Sequence, residues 1–185
     1  RTMMIVTHEM DFARKISNRI FFMYDGTIYE EGSPKDIFEH PKREKTRRFI
    51  QRLSTLSYRI DSTDFDMEPI IEELQKYGEK LLIEAERLTK LTLSMEEICI
   101  NNIAAESDNP DILVKVEYSE KLDVLTMIIK YNGEVFDIKE AKSSKVFLSL
   151  LEEPTTTYEQ KDLVEDKEGF RHQIMMNFRW QEEQK

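Results

Sequence analysis

Hydrophobic positions in the first third of the chain change period every few residues. Residues 2–7 form a short apolar run of strand length, apolar on both faces as in the middle of a parallel sheet. Residues 9–16 have helical spacing with acidic residues in the first turn, so His8 is predicted to sit where a strand hands over to a helix. Residues 19–24 and 27–31 are β-rich and are separated by Asp25-Gly26, a dipeptide that accepts the positive φ angles of a type I′ hairpin turn. Gly32-Ser33-Pro34 opens a short helix, with Ser33 as its N-cap and Pro34 at its first position, and Pro41 closes it. A basic helix follows from about residue 42 to 53, its apolar side carried by Phe49, Ile50 and Leu53.

Beyond a polar stretch at 61–66, read as a linker or a strand end, the pattern lengthens. Ile70, Ile71, Leu74, Tyr77, Leu81, Leu82 and Ala85 recur every three or four residues, predicting one amphipathic helix from 67 to about 87. Leu93, Met95, Ile98, Cys99 and Ile103 predict a second over 92–105, before Asn109-Pro110 breaks the pattern. Residues 112–118 and 124–131 alternate as strands, and Asn132-Gly133 ends the second. Residues 139–151 read as a helix or loop, 153–157 as an exposed loop, and 172–180 as a terminal strand. The fold class is α+β, with an incomplete α/β region over 1–56 and a second domain over 57–185.

Charge sharpens that division. Of the 27 Lys/Arg and 37 Asp/Glu, residues 1–60 hold 12 and 8, leaving 15 and 29 for the remainder, so a basic segment joins an acidic one. The net charge of −10 opposes general nucleic-acid binding. The stretch Lys42-Arg43-Glu44-Lys45-Thr46-Arg47-Arg48 reads as a solvated helix face or as a mark for an acidic partner. The single cysteine, Cys99, excludes an intramolecular disulfide and fits a reducing, cytoplasmic compartment. His8, His40 and His172 lack metal-ligand spacing, and no apolar run approaches the roughly 20 residues of a membrane-spanning helix.

Ile5-Val6-Thr7-His8-Glu9-Met10, Phe12-Ala13-Arg14, Arg19-Ile20-Phe21-Phe22-Met23, Asp25-Gly26, Ile28, Glu30-Glu31-Gly32 and Pro34 together resemble the C-terminal end of the ATP-binding subunits of polar amino-acid ABC importers, over residues 2–53. The resemblance makes His8 the switch-loop histidine that contacts the γ-phosphate of ATP and helps place the attacking water. On its own terms His8 also reads as a cap or core residue at a strand end. The phosphate loop, glutamine loop, signature motif and catalytic glutamate of that family precede this histidine, and no G-x-x-x-x-G-K-[ST] pattern occurs in the 185 residues. The chain therefore reads as the tail of a longer ATPase, or as a fragment that keeps the sequence without the activity. An isolated strand over 2–7 would pair with another copy, exchange with a neighbour or stay poorly ordered.

A second resemblance lies downstream. A helix carrying Met95-Glu96-Glu97-Ile98-Cys99-Ile100-Asn101-Asn102, then paired strands and Asn132-Gly133-Glu134-Val135-Phe136-Asp137, resembles the anti-sigma-factor kinase branch of the histidine-kinase-type ATPase fold, a two-layer α/β sandwich. The resemblance implies Glu97 as a base, Asn101 as a Mg²⁺ ligand, and Gly133 and Asp137 beside an ATP adenine. Tyr131 stands where that family has the adenine-reading aspartate, and residues 138–168 contain no glycine for its lid. From spacing alone, Glu97 and Asn101 are equally an ordinary helix face, and Asn132-Gly133 a plain turn. Cys99 reads as a buried hydrophobe.

Two function classes follow. In one, residues 1–53 are the distal part of an ABC importer's ATP-binding subunit, with ATP and Mg²⁺ implied by resemblance. The rest is then an appended domain that contacts transporter membrane subunits or another cytoplasmic protein, at the inner face of the membrane. In the other, the chain is an anti-sigma-type interaction module with residual nucleotide binding.

Overall fold

The structure, a computed structural model, describes residues 3–139 and 143–180, and divides into two compact units, Arg1–Leu53 and Ser54–Lys185.

In the first unit, α1 spans Met10–Ile16, and β1 (Ile20–Tyr24) pairs antiparallel with β2 (Thr27–Gly32). Asp25 and Gly26 adopt φ of 48° and 72°, the doubly positive turn whose twist matches the strands it joins. α2 (Pro34–Glu39) starts with a full capping box: Ser33 Oγ accepts from the Asp36 amide while the Asp36 carboxylate accepts from the Ser33 amide. Glu30 on β2 accepts from the amides of Lys42 (2.8 Å) and Arg43 (3.2 Å), fixing the approach to α3 (Glu44–Gln51). Ile37, Phe38 and Ile50 form the buried centre, with Met10, Ala13 and Ile20 packed against it.

The strand expected over 2–7 is not formed by its described residues. Met3 to Glu9 take no strand pairing, and Val6 is 89% exposed. A strand needs a ladder for its amides and carbonyls, and the only sheet among the described residues of this unit is the β1–β2 hairpin.

The second unit is a five-stranded sheet in the order β3-β4-β5-β7-β6, where β3 is Leu53–Ile60, β4 Ile112–Ser119, β5 Val124–Tyr131, β6 Thr156–Asp162 and β7 His172–Arg179. The β4–β5, β5–β7 and β7–β6 pairs are antiparallel. Alternate residues, Ile112, Val114 and Val116 on β4, Leu125, Met127 and Ile129 on β5, and Ile174, Met176 and Phe178 on β7, face one core. Onto it pack α4 (Glu68–Leu81), α5 (Ala85–Met95) and α6 (Lys145–Leu151), through Leu74, Leu91 and Phe147 among others. The architecture is mixed α and β with antiparallel sheets, consistent with the α+β class.

Several boundaries differ from the sequence pattern. The single helix expected over 67–87 is two, because Leu82 takes a left-handed φ of 55° and turns the chain so that Ile83 is buried while Leu82 faces solvent. The second predicted helix starts earlier, at Ala85, and passes at Glu96 into a π-helix over Glu96–Ile103 and a short 3₁₀ turn over Ala104–Glu106. Residues 53–57 lie in β3, and the loop expected over 153–157 runs into β6 at Thr156. Both are outer strands of the sheet with mixed burial, which weakens the alternation a sequence reader relies on. No helix among the described residues is long and apolar enough to cross a membrane.

Candidate functional site

His8 lies exposed just before α1, where Thr7 Oγ1 accepts from the Glu9 amide at 3.0 Å. The helix half of its predicted setting is present, and among the described residues the strand half is absent.

In the second unit the resemblance pairs Glu97 with Asn101 on one helix face. Both fall in the π-helix, whose wider i→i+5 turn changes their presentation. Glu97 is 6% exposed, and its Oε1 accepts from the Ser144 amide at 2.8 Å, while Ser144 Oγ caps α6 by accepting from the Phe147 amide. Asn101 is exposed to solvent. It is the neighbouring Asn102 that reaches Glu97, donating Nδ2–H to its backbone carbonyl at 2.7 Å. The carboxylate thus tethers the segment ahead of α6. Among the described residues, no group of three or more His, Cys, Asp or Glu side chains is arranged to hold a metal ion.

Gly133 and Asp137 both lie in the loop that leaves β5. Gly133 takes φ of 112°, a backbone conformation that residues with a side chain adopt only under strain. Asp137 is exposed and its Oδ1 accepts from the Lys139 amide at 2.8 Å. The Gln160 side chain on β6 grips this loop at two points, donating to the Phe136 carbonyl (2.9 Å) and accepting from the Ile138 amide (3.1 Å). Beneath it is a hollow of about 270 Å³ lined in part by Tyr131, Phe136, Asp137, Asp162 and His172. A larger groove of about 500 Å³ between α5 and α6 is floored by Leu93, Val146 and Leu150, and its one cation, Lys90, is paired with Glu86 and Glu153.

Tyr131, the residue at the adenine-reading position, is buried with its ring 6.0 Å from Phe136 and 5.2 Å from His172. Burial pushes its phenol upward. His172 in turn meets Asp162, its register partner on β6, at 2.8 Å. Sequence reasoning missed this Tyr131–His172–Asp162 group because its members lie on three strands and no local spacing connects them. The only available signal was the position of each at the end of a strand.

Cys99 is wholly buried, and burial pushes its thiol up, so it is an inert part of the core.

No family model matches the chain. A 70-residue segment is 43% identical to the L-cystine import ATP-binding protein TcyN of Bacillus subtilis (strain 168), covering 38% of this chain and 27% of that protein. A 52-residue segment is 52% identical to the probable amino-acid import ATP-binding protein YxeO of the same organism, covering 28% and 21%. The octopine permease ATP-binding protein P of Rhizobium radiobacter is likewise 52% identical over 52 residues, covering 28% of this chain and 20% of that protein. The chain spans about a quarter of the length of these curated relatives, and part of it is similar to the ATP-binding proteins of amino-acid importers.

Proposed function

We propose that residues 1–53 are the distal part of the ATP-binding subunit of a polar amino-acid ABC importer and that the second unit is an appended regulatory or partner-binding domain. The observation that carries this reading is the 52% identity over 52 residues to import ATP-binding proteins, a length close to that of the first unit. His8 is then the switch-loop histidine, contributing one contact to an ATP and Mg²⁺ site whose other parts lie in sequence this chain does not contain, so the chain is not catalytically competent alone. The importer's membrane subunits are the partners of such a subunit, which places it at the cytoplasmic face of the membrane.

The second unit takes the helix-on-sheet sandwich of the histidine-kinase type in a degenerate form. Tyr131 in place of the adenine-reading carboxylate and the engagement of Glu97 by Ser144 support this, and its role is then to bind rather than to catalyse. Its acidic surface meets a basic face of a protein partner, with an affinity that falls as salt rises.

Two measurements test the reading. Genomic sequence upstream of Arg1 should carry a phosphate loop and signature motif in frame, and an in-frame stop in their place overturns the importer assignment. Calorimetric titration of the 185-residue chain with Mg-ATP and Mg-ADP should give no binding heat at millimolar nucleotide. Binding that disappears in a Glu97→Ala, Asn101→Ala double variant overturns the degenerate reading of the second unit.

A further inference from the structure

The hydrogen bonds around His172 impose a protonation condition. Its Nδ1 lies 2.8 Å from Asp162 Oδ1 and its Nε2 lies 3.2 Å from the Gly133 carbonyl oxygen. An ionised carboxylate and a backbone carbonyl only accept, and a neutral imidazole has a single N–H to give. Both contacts are hydrogen bonds together only when the ring carries a proton on each nitrogen. With one proton, the carboxylate keeps it as the stronger acceptor. A bare Nε2 then faces the Gly133 oxygen, lone pair against lone pair.

The titratable and charged groups that face the ring come from β5, β6, the loop after β5 and the chain just before His172. From β5, Tyr131 packs on it and stays uncharged, since burial holds its phenol up. From β6 come Asp162 and, along the same hollow, Lys161. The loop after β5 contributes Asp137, and Arg171 precedes His172 in the chain. On either side of the Gly133 contact, the loop is held by bonds that do not titrate. Asn132 accepts from the Arg171 amide at 3.1 Å and donates to the Gly169 carbonyl at 3.4 Å, while Gln160 grips Phe136 and Ile138. Between these anchors Gly133, Glu134 and Val135 are exposed, and Val135 lines the hollow.

We propose that His172 is a proton-operated latch: as the imidazolium it ties Gly133 to Asp162 and closes the 133–135 wall of the hollow, and as the neutral ring it releases that wall. The proton that closes it comes from solvent onto Nε2, while Nδ1–H stays on Asp162. The latch stands on the geometry of the second unit alone and does not depend on the importer reading.

The test is a ¹H–¹⁵N NMR titration of the full chain between about pH 5 and 8, the range over which histidine changes charge. The expected result is that the backbone resonances of Gly133, Glu134 and Val135 move with the same midpoint as the His172 imidazole, while Ile138 does not follow them. His172→Gln, which has no ring proton, should abolish the movement. Asp162→Asn should do the opposite of a simple loss. The amide it introduces donates to Nδ1, so the neutral ring keeps Nε2–H for Gly133, and the loop resonances at about pH 8 stay where the parent chain has them near pH 5. Loop resonances that do not move, or that move with a midpoint other than that of His172, overturn the latch. So does an Asp162→Asn chain whose loop titrates as the parent does.

Discussion

The first unit closes on three buried side chains, Ile37, Phe38 and Ile50, whereas the second has a core running from Ile60 to Phe178 across α4, α5, the π-helix, α6 and four strands. Yet the first has the better local signals: a doubly positive hairpin turn, a capping box and a Pro-led helix. The second has a π-helix, a left-handed leucine and a sheet whose strand order departs from chain order. Local chemistry is therefore enough to draw elements, while burial decides how firmly they are held. A segment of 53 residues is near the size at which a single core becomes marginal. Met3, Met4, Val6, Met23, Ile28 and Phe49 in this unit remain exposed.

This contrast gives a series of tests. Trp180, the single tryptophan, follows the second unit's last strand, so its fluorescence reports that unit. Phe147→Ala, at a fully buried site, should lower the stability seen at Trp180 by about 3–5 kcal/mol in urea titration. Ile37→Ala should leave that transition in place. A transition that moves equally with both would mean the two units unfold as one.

Next in size is Arg87→Met. The Arg87 side chain is buried, pairs with Glu84, and donates to both the carboxylate (2.8 Å) and the carbonyl (3.1 Å) of Asp123. Its loss should cost about 2–3 kcal/mol, less than for a fully buried pair because Asp123 is half exposed. Burial raises the Asp123 carboxyl, but hydrogen bonds from Arg87 and Tyr118 outweigh it and hold the group below the ordinary carboxylate range. A carboxyl lowered in the folded state adds stability that is complete above its unfolded value of about 3.9 and is lost as the pH falls through the folded value. Acid unfolding followed at Trp180 should therefore lose part of its pH dependence below about pH 4 in Arg87→Met.

Gly78→Ala probes the meeting of α4 and α5, where an added Cβ would sit 2.1 Å from Leu88 Cδ1. Leu88 must change rotamer, at about 1–3 kcal/mol against the helix-propensity gain of alanine. A stabilised variant would show that the two helices have room to separate. The smallest effect belongs to the first unit. Ser33→Ala removes the α2 cap and should cost about 1 kcal/mol, read as faster hydrogen exchange at the Asp36 and Ile37 amides with the Trp180 transition unmoved.

Sequence alone settled the elements whose causes are local. Asp25-Gly26 set the first hairpin, Ser33-Pro34 began α2, and the alternation of 112–118 and 124–131 gave β4 and β5 nearly to the residue, because turn φ values, caps and side-chain period are properties of neighbouring residues. It also separated a basic segment from an acidic one. What tertiary structure decided is where local preference was overridden. Leu82 fits a helical stripe but turns left-handed so that Ile83 can enter the core. The run at 2–7 has strand composition but takes no ladder in its described residues, since pairing is a property of two segments. Glu97 and Asn101 have the spacing of a site, yet one is buried under Ser144 and the other faces water. The Tyr131–His172–Asp162 group, conversely, has no signature along the chain and exists only because β5, β7 and β6 end side by side, in a register set by the packing of one sheet face against the helices.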